Sequence, residues 1–395
     1  MKRFALTSLS LALLGAAGVA QAQNSVTLYG VVDTGIGYVH NADGNEKEVA
    51  MINGNLSGDR WGLKGTEDLG GGLKAIFQLE NGFSVGTGQL GQGGLLFGRQ
   101  AFVGLTGDNV GTVTLGRQYD PLVDMVQGIT ADNYWASVMG TPGDVDNYDN
   151  SFRVNNTVKY VSPNYAGLQF EGLYGFSGLA GATGQGQTWS GAATYNNGPL
   201  AVAAGYFYAN NPSANRLTVA AASTWNSPTT GSLFDSPINN GYTSASAIAI
   251  TRAAAQYTIG PFTGGLSYSN AQYKHDGLSA FQSTQKYNIG SGFLNYQATP
   301  AILIGAGYTY EHANGDTTAT YNQVGIGADY SLSKRTDFYV LGAYQHASGE
   351  QATYTTNAAG QTVRVIQDAQ ASIGSFGYAG TSTQEFVIVG IRHKF

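Results

Sequence analysis

Across residues 322–332, Val324, Ile326, Ala328, Tyr330 and Leu332 occupy every second position, with Gln323, Gly325, Gly327 and Asp329 between them. A period of two puts the sets on opposite faces of an extended strand. Ile302, Ile304, Ala306, Tyr308 and Tyr310 repeat the pattern, as do Leu168, Phe170, Gly172 and Tyr174, and Leu200, Val202, Ala204, Tyr206 and Tyr208. The face opposite is filled by Gly, Ser, Thr, Asn and Gln rather than Lys and Glu, which suits a wall with lipid outside and water inside. Tyrosines near strand ends would supply the aromatic girdles, and glycines let a tilted wall bend.

Short breaks fall at residues 68–72, 107–110, 163–166, 197–198, 260–261, 298–300 and 333–334, and longer polar stretches between them, the largest at 210–246 and 348–383. Seven short turns and eight longer loops predict sixteen strands with both ends on one side, an even count as bacterial barrels have. All nine prolines lie in the breaks, as they must if the ladders are continuous. The expectation is an all-β, sixteen-stranded antiparallel transmembrane β-barrel with short periplasmic turns and long extracellular loops.

Composition removes the alternatives. Of 395 residues only 11% are charged, 42% are hydrophobic, 57 are glycine and none is cysteine. That charge is under half the usual share of about 25% in soluble domains. Absent cysteine excludes disulfides, thiol nucleophiles and thiolate metal sites, and a pI near 5.3 argues against a nucleic-acid partner. Lys2 and Arg3, an apolar run over 4–19 and Ala20-Gln21-Ala22 mark residues 1–22 as a secretory signal peptide. Residues 23–395 then form a single barrel domain, and no later stretch is apolar for long enough to be a spanning helix.

Several segments carry a specific resemblance: SVTLYGVVDTGIGY at 25–38, DRWGLKGTEDLGGGLKAIFQLENGF at 59–83, FGRQAFVGLTGDNVGTVTLGRQYD at 97–120, SFRVNNTVKYVSPNYAGLQFEGLYGF at 151–176, LSKRT at 332–336 and FVIVGIRHKF at 386–395. Together they resemble the trimeric general-diffusion porins of Gram-negative outer membranes, in their betaproteobacterial form. The resemblance implies a homotrimer and a third loop folded into the pore. It also implies passive diffusion of small hydrophilic solutes and ions without cofactor or catalysis, and lipid and lipopolysaccharide as surroundings. The terminal Phe395 resembles the signal read by the barrel assembly machinery.

The segment matching the third loop holds Asp120, Asp124, Asp132, Asp144, Asp146 and Asp149, and no Lys or Arg up to Phe152. Strand parity sends Arg60, Lys64, Lys74 and Arg153 inward to face it, with Gln78, Glu80 and Lys159 on the same face. Arg99 shares parity with Ala101, Val103 and Leu105, which would turn it outward, and only the resemblance makes it a pore-wall arginine. Arg117 is a trimer-interface candidate on the same ground. Charge on opposing walls acts within a screening length of about 10 Å, so a constriction is where it would sort ions. Asp144, Asp146 and Asp149 are spaced as hard-cation ligands, but without the glycine and glutamate of an EF-hand no metal site is assigned. Two rivals remain. A barrel enzyme would use one of His40, His275, His312, His346 and His393, and a channel selective for sugar, phosphate or dicarboxylate would use Tyr119, Tyr134, Trp135 and Tyr148.

Overall fold

The computed structural model describes residues 25–213, 225, 234–358 and 360–395, so the signal-peptide segment 1–22 lies outside the described residues. Its strands are β1 (Ser25–Asp43), β2 (Glu46–Asn53), β3 (Arg60–Gly70), β4 (Leu73–Gly82), β5 (Gln100–Gly107), β6 (Gly111–Gln118), β7 (Val154–Val161), β8 (Leu168–Gly175) and β9 (Thr188–Asn197). They continue as β10 (Leu200–Asn210), β11 (Ala247–Ile259), β12 (Phe262–Lys274), β13 (Gln285–Thr299), β14 (Ile302–Asn314), β15 (Ala319–Ser331), β16 (Thr336–Thr356), β17 (Thr362–Asp368) and β18 (Thr383–Lys394).

Every pairing between strands is antiparallel, and β1 pairs with β18 to close the sheet. Eighteen strands make sixteen staves. β2 and β3 pair with successive halves of β1 and so form one interrupted stave, and β17 pairs only with the upper end of β16 as a hairpin beyond the wall. The interruption gathers on Asp33, whose Oδ2 accepts from the Leu56 and Ser57 amides, both at 2.8 Å, while its own amide donates to Asp59 Oδ1 at 2.6 Å. Sequence periodicity gave no sign of it, because both half-strands keep the same parity. The closing seam ends in a backbone pair, Gly30 and Phe395 bonding each other at 3.0 Å in both directions.

Alternation along each strand sorts lipid from lumen. On β16, Phe338, Val340 and Tyr344 are exposed, and Tyr339, Leu341, Ala343 and Gln345 are buried. The inner face is more apolar than a plain water-filled tube would need. Two apolar clusters occupy it, where residues 119–153 and 234–246 fold inward and pack on the wall. Here the expected role of glycine changes. A Cβ at Gly327 would stand 2.2 Å from the Trp135 ring and one at Gly305 2.3 Å from its nitrogen, so these glycines are sockets for an inserted side chain rather than bending points.

Candidate functional site

Residues 119–153 leave the wall after β6, cross the lumen in short helical turns and return at β7. Between this third loop and β3 to β5 lies a cavity of about 790 Å³. Its lining brings together Arg60, Glu80 and Arg99 from the wall, Tyr119 and Arg153 from the two ends of the loop, and Asp124, Asp132, Asp144 and Asp149 from within it.

The basic side is organised around one carboxylate. Glu80 accepts from Arg99 Nε at 2.9 Å, from Tyr29 Oη at 2.8 Å and from Tyr119 Oη at 3.3 Å, with Arg60 Nε at 3.9 Å. The Arg153 guanidinium stacks 5.0 Å from the Tyr119 ring centre and donates to the Ser151 carbonyl at 2.9 Å. Two guanidinium groups therefore share one wall carboxylate, and the third, Arg153, donates at 3.4 Å to the Tyr119 hydroxyl that also bonds Glu80. Parity places Glu80 inward but gave no hint that it would organise the arginines. Arg99 sits inside although its parity pointed outward. It stands one residue before the ladder begins, in a bend, so the pleat that orients Ala101 does not govern it.

Lys64 and Lys74 share the inward face of Arg60, being opposite Gln78 and Asp68, but lie outside this cavity. Lys64 is exposed, with its ammonium 5.3 Å from the Tyr29 ring centre. Lys74 stands at the short turn, six residues along β4 from Glu80, or roughly 20 Å.

The six loop aspartates divide. Asp120 and Asp146 do not line the cavity: Asp120 accepts from the Leu122 amide at 2.8 Å, and Asp146 pairs at 3.2 Å with Arg252 on β11, both side chains fully buried. Arg252 also donates to the Asp146 carbonyl at 2.6 Å and lies 4.9 Å from the Tyr148 ring centre. Asp124 pairs with Lys159, whose ammonium also meets Glu171 at 3.3 Å. Asp149 accepts from the Ser137 and Ser375 hydroxyls, and Asp144 accepts from the Asp149 amide at 2.8 Å. Burial, reinforced by the neighbouring Asp149 and Asp146, pushes the Asp144 carboxyl up to about 8. Burial and Asp149 likewise raise Asp132. These two oppose the arginines with less charge than their formulas suggest.

Arg252 was not found from sequence because the inward positions around it, Ile248, Ile250 and Ala254, are apolar. They pack on the inserted loop, so the usual polar signal of a lumen face is missing there. Arg117 lies on the outward face with Val113 and Leu115, and donates to Gly98 O at 2.8 Å within its own chain. Of the four aromatics considered for a sugar slide, Trp135 and Tyr148 are buried, Trp135 donating to Asn295 at 2.7 Å, and Tyr134 bonds Gln256 at 2.9 Å. Only Tyr119 belongs to the cavity lining. The histidines stay apart, His40 pairing with Glu385 at the β1–β18 seam, His312 with Thr320 and His393 with Thr336.

A family profile described as Gram-negative porin matches residues 5–350. An outer membrane porin protein of Bordetella pertussis is 34% identical over 384 residues, covering 86% of this chain and 93% of that protein. The major outer membrane protein P.IB of Neisseria gonorrhoeae is 29% identical, covering 90% of this chain and 97% of that one. Among solved structures, one described as an anion-selective porin from Comamonas acidovorans superposes with a TM-score of 0.69 at 24% identity, over 94% of this chain and all of the other.

Proposed function

The chain belongs to the Gram-negative porin family, and from that premise we propose that the cavity between the Glu80 arginines and the third loop is the constriction of its diffusion channel. The protein is an outer-membrane porin, a water-filled barrel through which small hydrophilic solutes and ions pass passively. The observation that carries the assignment of the constriction is the opposition of Arg60, Arg99 and Arg153 to Asp124, Asp132, Asp144 and Asp149 across one cavity. A solute crossing it moves through a transverse field over a distance at which salt screens little. Water lost from one side of an ion is replaced by fixed guanidinium or carboxylate groups, so polar solutes pass and apolar ones gain nothing.

Planar-bilayer recording tests this reading. Well-folded protein is expected to conduct in three equal steps, and a bilayer it leaves silent contradicts the channel. The same reading takes the protein as a homotrimer whose contacts include the exposed Val103, Leu105, Val113 and Leu115 and the outward Arg117. It takes Phe395 as the mark for barrel assembly, residues 1–22 as the removed leader, lipopolysaccharide as a neighbour, and no step as catalytic. Mass spectrometry of the mature chain should begin at Gln23.

A further inference from the structure

Between β2 and β3 the chain leaves the wall over residues 54–59, and Gly54, Leu56, Ser57 and Gly58 of this bulge line the cavity. The bulge stands on inward side chains of the strands that close the barrel. From β1, Asp33 takes the Leu56 and Ser57 amides. From β16, the Tyr339 hydroxyl accepts from Asn55 Nδ2 at 2.8 Å. From β18, Arg392 Nη1 donates to the Ser57 hydroxyl at 3.0 Å. The next residue bears on the arginines of the cavity. The Gly58 carbonyl accepts from Arg60 Nη1 at 3.0 Å, and a Cβ on Gly58 would stand only 2.9 Å from Arg99 Nη1. Gly58 has no side chain to anchor it, so its neighbours set its place: Asp59 bonds the Asp33 amide, and Ser57 bonds Arg392. Arg392 itself lies outside the cavity lining. Cross-strand register sets it between Asp33 on β1 and Asp337 on β16. Its Nε and Nη2 meet the Asp337 carboxylate at 3.1 to 3.2 Å, and Nη2 also meets Asp329 on β15 at 3.4 Å.

We propose that Arg392 is a positioning residue of the constriction. Clamped by Asp337 and Asp329, it fixes Ser57, and through Ser57 and Gly58 the places of Arg60 and Arg99, without meeting a permeating ion. The proposal rests on the reading of the cavity as the channel's constriction. A guanidinium is a rigid planar fork, so with one edge held by carboxylates its remaining nitrogen points in a fixed direction. A lysine ammonium on its flexible stem would keep the charge and lose that direction. If the Ser57 bond is cut, Gly58 can draw back, Arg60 loses its carbonyl acceptor and Arg99 its backing. Both guanidinium groups then spread away from the path of the ion.

Reversal potential in a salt gradient and single-channel conductance read the result. Ser57→Ala breaks the link and changes no charge, so position alone should move the potential toward cations and raise the conductance. Arg392→Lys keeps the charge, loses the fork and should give the same shift. Because the two changes cut one link, the double variant should match either single one rather than their sum. An unmoved potential in Ser57→Ala, or additive shifts in the double variant, overturns the role of Arg392. Should Arg392→Lys fail to fold, Ser57→Ala still decides. Arg60→Gln with Arg153→Gln, measured alongside, keeps the premise separate. If that pair moves the potential and Ser57→Ala does not, the relay alone fails, and if that pair leaves it unmoved, the constriction reading fails and takes the relay with it.

Discussion

The two sides of the lumen treat the third loop in opposite ways. Along β3 to β5 the wall keeps its distance and holds charge across a gap, with Arg60 and Arg99 on Glu80 and Arg153 beside them against Tyr119. Along β11 to β15 the wall is in contact: Trp135 fills the space over Gly305 and Gly327, Gln323 donates to the Val138 and Gly140 carbonyls at 3.1 and 3.2 Å, and Arg252 holds Asp146. The near wall is shaped for passage and the far wall for anchorage. An arginine therefore means different things on the two sides. At position 99 its bonds leave it on the cavity surface, and at position 252 it is sealed in.

Breaking the far wall should have the largest effect. Arg252→Met leaves Asp146 buried without its cation, which costs on the order of 3–5 kcal/mol. Denaturant unfolding should show the loss, and surviving channels should fluctuate in conductance as the loop comes loose. Gly327→Val drives side-chain atoms into the Trp135 ring, and overpacking of this kind costs about 1–3 kcal/mol. A rise in single-channel conductance with little change in ion preference is the expected readout. If either far-wall variant altered selectivity and left the loop steady, the contrast between the walls would fail.

The near wall should answer in the reverse sense. Replacing Arg60 and Arg153 by glutamine should move the reversal potential in a salt gradient toward cations, and an unmoved potential would remove them from the field. A smaller effect is expected from pH. Asp144, with its carboxyl raised to about 8 by burial and two neighbouring aspartates, is neutral below that value and charged above it. Raising the pH from 6 to 9 should shift preference toward cations, lowering it should favour anions, and Asp144→Asn should flatten most of the change. Least of all should follow from Lys74→Gln, which lies roughly two screening lengths from Glu80.

How much of this was legible follows from what a strand encodes. Period-two alternation states a face for every residue in a ladder, so the staves, the seven short turns and the inward placement of Arg60, Lys64, Lys74 and Glu80 could be read directly. It says nothing about height, which is why Lys64 and Lys74 look equivalent to Arg60 until the cavity is seen. It is also silent one residue outside a ladder, where Arg99 stands. Tertiary contact erased the remaining signals. Asp120 and Asp146 look like their neighbours in composition, and only the fold of the loop turns them toward the Leu122 amide and Arg252. Glycines at 305 and 327 read as flexibility because a socket is visible only with its occupant.

The bond between Gly30 and Phe395 has a temporal meaning. Gly30 lies near the start of the described residues and Phe395 at their end, yet they face each other across one rung of the ladder. Contacts so distant in sequence carry a large loop-closure entropy and are slow to form. They also cannot form before synthesis has passed β18. Until then β1 and β16 both present raw edges, open to pairing with any strand at hand. A chain lacking only β18 would lack one stave in sixteen and would be an open sheet rather than a slightly smaller pore. The seam thus acts as a check on β18, since only a chain that has delivered that stave can become a vessel.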